Sequence, residues 1–340
     1  GSWDDPREPR EGPLPRDVAK YRGVYLHGRR VVVSYTVGEC EVLEMPEGTL
    51  VEGRACFTRN FTMGPSKRDL SVLLAEETAA LEKNGRLEVS VDRAPAGSKL
   101  SRKDGLVFLR LPAQAGRVSF RITLSRGGKA RTAGEKKIAD LEAFTRGGSG
   151  RWKKTLNTSG KRGEDSGAYA LDTLTAPDDN PWGAWLRFSA VDFFADGRAA
   201  LTTWDGDVWI VSGIDGKLEK LRWRRYATGL QMPLGIRVFK GKVYTVGRDQ
   251  LTRLHDLNGD GEADYYENFN NDAGLTLQRH EFVMDLHTDK EGNFYYCRSG
   301  HYIKSQRGEN CCVMKVSPDG AKLEVFARGF RETNGMSLSP

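Results

Sequence analysis

The second half of this chain keeps returning to one pattern: a short apolar strand, a tight turn, and a second strand. The stretches VDFFADGRAALTTWDGDVWIVSG, IRVFKGKVYTVGRDQLTRLHDL and FVMDLHTDKEGNFYYCRSG all follow it, with Asp-Gly-type or Lys-Gly turns between the strands. The pattern also repeats. YATGLQMPLGIRV begins at Tyr226 and FARGFRETNGMSL begins at Phe326, aligning Gly229 with Gly329 and Gly235 with Gly335. A unit of about fifty residues, occurring twice within that interval, has the length of a four-stranded propeller blade. About three blades fit between Trp185 and Pro340, and NGMSLSP reads as the start of a fourth. A propeller closes only with more blades, so the chain is expected to be part of a longer protein.

The first half has a different rhythm. YRGVYLHGRRVVVSYTVGECEVLEMP holds strand-like runs between glycines, and RLEVSVDRA, GLVFLRLPA and RVSFRITLSRGG alternate apolar and polar residues at period two. Part of SKRDLSVLLAEETAALEKNG is compatible with a helix. The expected class is therefore mainly all-β. A loose, proline-rich lead-in (1–19) precedes a sandwich-like domain (20–145). A basic, Gly-rich linker (146–180) then leads into a partial propeller (181–340).

The formal charge is +6, and its location decides its meaning. Between Arg126 and Asp165 eleven Lys/Arg stand against five Asp/Glu, so the whole excess lies in one Gly-rich segment. No zinc-finger, RRM or helix-turn-helix pattern accompanies it, and no nucleic-acid partner is expected. The cysteines are Cys40, Cys56, Cys297, Cys311 and Cys312, with no CxxC, CxxCH or zinc spacing. Pairing of Cys40 with Cys56, and of Cys297 with the 311–312 pair, stays open. No apolar run reaches the roughly 18 residues of a membrane span.

RLHDLNGDGEADYYENF carries the sharpest local signal. Asp256, Asn258, Asp260, Gly261, Glu262, Asp264 and Glu267 fall at positions 1, 3, 5, 6, 7, 9 and 12 of a calcium loop. Alternating short oxygen-bearing side chains converge on a hard cation, Gly261 allows the sharp turn, and Glu262 would offer its main-chain carbonyl. The flanks QLTRLHDL and ADYYENF alternate like strands, so the expectation is a structural calcium hairpin, with a metal-free acidic turn as the alternative. Glu267 is the ligand that a strand would carry away from the ion.

Two further residues point to chemistry. His280 precedes a strand, where an imidazole can act as a base near neutrality. Arg331, in GFRETNG, would clamp an anionic group. For both, hydrogen bonding between blades is the plain structural alternative. His255, His287 and His301 show no metal-type spacing, and Trp204, Trp209 and Trp223 read as core. The chain has no GxSxG, Walker, HExxH or Rossmann pattern.

FSAVDFFADGRAALTTWDGDVWIVSGID, GRDQLTRLHDLNGDGEADYYENFNND and HEFVMDLHTDKEGNFYY resemble large secreted proteins of Planctomycetes and Verrucomicrobia. Those proteins carry a glucose/sorbosone-dehydrogenase-like propeller, often followed by a c-type cytochrome domain, and YRGVYLHGRRVVVSYTVGECEVLEMP looks like the β-rich domain preceding it. The resemblance implies a secreted or periplasmic location and quinone- or cytochrome-linked oxidation of a sugar or polyol. It implies pyrroloquinoline quinone or haem in the full-length protein, with a cytochrome domain or other electron acceptor as partner. His280 matches the base of the quinone-dependent sugar dehydrogenases, and Arg331 matches an arginine of their GxRNxxG motif, although Glu332 and Thr333 depart from it. A non-enzymatic module binding glycan or protein is the alternative.

Overall fold

A computed structural model of the chain describes residues 12–77, 85–127, 138–273, 281–300 and 311–338. The protein is all-β: its sheets are antiparallel, and the one short helix described is a 3₁₀ turn at Leu141–Thr145. The chain forms two compact units, one spanning Leu14–Ser149 and the other made of Gly150–Pro340 together with Gly1–Pro13.

The first unit contains β1 (Ala19–His27), β2 (Arg30–Val37), β3 (Cys40–Val51), β4 (Arg54–Met63), β5 (Leu70–Glu76), β6 (Leu87–Asp92), β7 (Lys99–Lys103), β8 (Leu106–Leu111) and β9 (Val118–Arg126). Within it the strands run β1-β2-β3-β4-β9-β6 in one sheet and β5-β8-β7 in another. Period-two alternation puts Val42, Phe61, Phe120 and Ile122 of the larger sheet against Leu109 and Leu111 of the smaller. Phe61 and Phe120 stack at 4.9 Å. The 3₁₀ turn packs on the opposite face, burying Leu141 beside Val32 and Met45. Residues 70–76, compatible with a helix by propensity, form β5 instead. Leu70, Val72 and Leu74 pack into the core from one face while β5 pairs with β8, and that pairing outweighs local preference. The rest of the helical stretch, 78–84, lies outside the described residues.

The second unit opens with β10 (Leu156–Thr158), β11 (Gly160–Lys161) and β12 (Thr173–Leu174). Three four-stranded meanders follow in order. The first is β13 (Phe188–Phe193), β14 (Ala199–Thr203), β15 (Val208–Ser212) and β16 (Leu221–Ala227). The second is β17 (Gly235–Phe239), β18 (Lys242–Val246), β19 (Leu251–His255) and β20 (Tyr265–Asn270). The third is β21 (Phe282–Thr288), β22 (Phe294–Ser299), β23 (Cys312–Val316) and β24 (Leu323–Arg328).

Aspartates shape the turns between these strands. Asp196 and Asp319 accept the N–H groups of Arg198 and Ala321 two residues on. The meanders lie face to face, with β13 against β17 and β17 against β21. Tyr244, Val246 and Phe269 of the second meander bury against Val283, Phe294 and Met314 of the third. Each such large side chain contributes about 1.5–3 kcal/mol by leaving water.

The segment read as a linker belongs to this fold. β10 pairs with β16, Leu156 joins the core around Trp209 and Trp223, and Trp223 Nε1 donates to Thr158 Oγ1 at 2.9 Å. Its glycines and charges suggested a tether, but three residues suffice to add a fifth strand to an open sheet edge. All five cysteines are buried and unbridged. Cys56 pairs across from Thr49, far along the hairpin from Cys40. Cys311 and Cys312 turn their sulfurs to Gly300 O and Met314 Sδ. Among the described residues no helix is long and apolar enough to cross a membrane.

Candidate functional site

A cavity of about 720 Å³ opens along the first strands of the three meanders. That volume lies within the range of small-molecule sites. Its polar lining is Arg187, Ser189, Asp192, Arg237, Asp285, His287 and Asn334, and Phe188 and Trp204 add aromatic surface.

Both arginines of the lining already have a carboxylate partner. Arg187 reaches Asp205 through two nitrogens, at 2.9 and 2.6 Å, and lies over the Trp185 ring. Arg237 sits 3.3 Å from Asp192 and donates to Thr288 Oγ1 at 3.1 Å. Asp192 in turn accepts the backbone N–H of Val238 at 2.7 Å. The lining is therefore polar without a net excess of either sign, as suits a neutral, hydroxyl-bearing guest better than an anion.

Asp285 is the conformational outlier of this wall. It sits at φ 63°, in the left-handed region that non-glycine residues avoid, where the pairing of β21 with β22 shifts register between Met284 and His287. Four contacts hold it there. Its N–H donates to Leu234 O at 3.2 Å, Oδ1 accepts from Leu286 N at 3.0 Å, and Oδ2 accepts from Met336 N at 2.7 Å. His287 Nε2 also lies 2.8 Å from Oδ1, but off the line of a hydrogen bond. Gly235 makes room for this junction, since a Cβ there would come within 2.5 Å of Asp285 O. Behind the wall, burial and then the Asp285 charge push the Cys297 thiol up to about 11, which keeps it protonated.

The acidic loop joins β19 to β20, so its flanks are strands. Asp256 accepts the N–H groups of Gly259, Asp260 and Gly261 at 2.7–3.1 Å. Asn258 accepts from Asp260 N and Asp264 from Leu257 N. Asp260 Oδ2 takes Gly150 N at 3.1 Å, while Glu262 Oε2 takes Arg151 N and Trp152 N at 2.6 and 2.9 Å. A Cβ on Gly150 would lie 2.9 Å from both carboxylates, so only glycine passes here without displacing them.

Glu267, at position 12, faces away into β20. Arg253 Nε and His255 Nε2 each lie 2.6 Å from its Oε2. Burial raises its pKa, but the hydrogen bonds from His255 and Arg253 outweigh burial and hold the carboxyl below its usual range. Among the described residues no three His, Cys, Asp or Glu side chains are gathered around one metal position. The oxygen set still fits a hard cation chemically: Asp256, Asn258, Asp260, the Glu262 carbonyl and Asp264 alternate along the loop.

His280 lies outside the described residues. Arg331 is exposed, its carbonyl accepting Gly300 N at 3.4 Å, and it is not part of the cavity lining. Trp209 and Trp223 are core, whereas Trp204 turns to the cavity. Metal-type spacing does not mark Asp192 or Asp285. One signal marks them: each stands four residues before the aspartate of the following turn, Asp196 or Asp289.

Residues 1–44 match a family described as a domain of unknown function, DUF6797. The match takes in β1, β2 and the first residues of β3, a fraction of the first unit. Among curated proteins the chain has no match.

Proposed function

We propose that this chain forms part of a secreted or periplasmic propeller protein of the sugar-dehydrogenase-like class, whose axial cavity takes a neutral sugar or polyol. The observation that carries the reading is the cavity itself. Three meanders stand side by side with their first strands innermost, and those strands line a polar, charge-balanced pocket with aromatic walls. Ligands of propellers enter along such an axis.

In this reading Trp204 and Phe188 give apolar faces for the C–H side of a sugar ring. Asn334, His287 and the paired arginines and aspartates meet its hydroxyls. His280 would supply the base and Arg331 the cationic clamp that the resemblance implies. Pyrroloquinoline quinone carries carboxylates, and the described lining does not suit it, because Arg187 and Arg237 are already neutralised by Asp205 and Asp192. The acidic loop would hold a structural calcium through Asp256, Asn258, Asp260, the Glu262 carbonyl and Asp264. Glu267 would join only by leaving Arg253 and His255.

A non-enzymatic glycan-binding module is the second reading, favoured by the exposure of Arg331 away from the lining. Calorimetry of the 340-residue protein with D-glucose, sorbitol and short glycans tests the site. Dye reduction with the same panel, in the presence of calcium and with quinone either supplied or omitted, separates the two readings. Binding without reduction favours the module, and no binding by any neutral ligand sinks the cavity assignment.

A further inference from the structure

We propose that His287 contacts the ligand hydroxyl in this cavity and that Asp285 is the residue that positions it. The inference rests on the reading of the cavity as a polyol site, and it adds a contact near the end of β21 that neither His280 nor Arg331 supplies.

Three observations on β21 carry it. A bulge interrupts the β21–β22 pairing between Met284 and His287, and bulges re-aim the side chains that follow them. Asp285 keeps a left-handed backbone that costs free energy in a non-glycine residue, and such strain persists where the surroundings over-determine it. Both Asp285 oxygens are committed to backbone N–H groups, Oδ1 to Leu286 and Oδ2 to Met336, so the carboxylate cannot swing freely.

This fixed carboxylate stands 2.8 Å from His287 Nε2, a contact close enough for an ion pair but not aligned as a hydrogen bond. Catalytic and binding hydrogen bonds are often loose in the empty site and tighten when the ligand arrives. A small rotation of the imidazole would align Nε2 with Asp285 and bring Nδ1 to bear on a hydroxyl. His255 is the internal contrast: its Nε2 is already engaged by Glu267 and Arg253 within a hairpin, and it has no place in the lining. The segment tied by Asp285 Oδ2 also includes Asn334 of the lining, so one carboxylate sets two of the groups that meet the guest.

The test is residue-resolved modification of histidines by diethylpyrocarbonate in the whole chain, with D-glucose and sorbitol as probes and binding followed by calorimetry in parallel. Either polyol is expected to slow modification of His287 several-fold while leaving that of His255 unchanged. His287→Gln should weaken polyol binding several-fold with an unaltered melting curve. Asp285→Asn, which tolerates the left-handed backbone and keeps an acceptor, should retain most of the protection; Asp285→Ala should lose it.

Polyol binding without protection of His287 overturns this inference and leaves the polyol reading standing. Absence of binding by either probe overturns both. Protection in Asp285→Ala equal to that of the unaltered protein removes the positioning role of Asp285. The Asn variant keeps that comparison available if the Ala variant fails to fold.

Discussion

Two groups of aspartates in the second unit do opposite things with the same side chain. In the β19–β20 loop, Asp256 caps N–H groups three to five residues ahead of it. Along the cavity, Asp192 and Asp285 accept N–H groups 46 and 51 residues away, at Val238 and Met336. The first kind of contact shapes a turn that the local chain already favours. The second fastens the first meander to the second at Asp192, and the third meander to the segment after its last strand at Asp285, and has to overcome the entropy of closing a long loop. One kind is local and repeatable, and the other holds the arrangement that makes a cavity.

Substitutions can break that contrast, and the largest effect is expected at Asp285. Asp285→Ala leaves Met336 N without its partner and puts alanine in a left-handed conformation, and should cost about 2–4 kcal/mol in denaturant unfolding. Asp256→Ala loses only local caps and should cost about 1 kcal/mol in metal-free buffer. Equal losses at the two positions would remove the energetic basis of the contrast.

Gly235→Ala probes the same junction from the facing strand. A methyl 2.5 Å from Asp285 O should cost about 1–3 kcal/mol and shift the His287 environment, visible in its NMR signal. Calcium sharpens the comparison from the other side. At concentrations about a hundredfold above its Kd it should stabilise the protein by about 2.7 kcal/mol. Chelator should reverse this, and the double variant Asp256→Ala/Asp260→Ala should remove the response. A melting curve indifferent to chelator would leave the loop as an acidic turn.

The smallest effect expected is that of Glu267. Its folded carboxyl titrates below its unfolded value, so its pairing with His255 and Arg253 stabilises the fold above the ordinary carboxylate range. That contribution fades as pH falls through the lowered folded value. Glu267→Gln should therefore flatten the acid limb of a stability–pH curve and leave the chelator response intact. If the chelator response vanished as well, Glu267 would be a calcium ligand after all.

These distances also explain what could be read in advance. The all-β class follows from period-two runs and Asp-Gly turns, because both act within a few residues. Asp256 to Asp264 are legible for the same reason: a calcium-type loop is written in consecutive positions. β5 was less legible, since its period-two Leu70, Val72 and Leu74 run into helix-favouring residues such as Ala75, Glu76 and Glu77, and only pairing with β8 marks where the strand lies. β10 was hidden among glycines and lysines because its strand identity is conferred by β16. Spacing does not mark Asp192, Arg237 or Asp285, and gives His287 no metal-type pattern, because their partners adjoin only once the first strands of the meanders pack together.

The capture of Gly150, Arg151 and Trp152 by Asp260 and Glu262 bears on how the protein is made. These contacts join residues about 110 positions apart, and the first strand of the unit waits in the same way for β16. On a ribosome adding about 5–20 residues per second, the opening of this unit stays unfastened for roughly 5–20 s. Its glycines and charges suit that interval. A soluble, turn-rich stretch can wait in water without seeking a wrong sheet edge, and it locks only when the acidic loop has emerged to receive it.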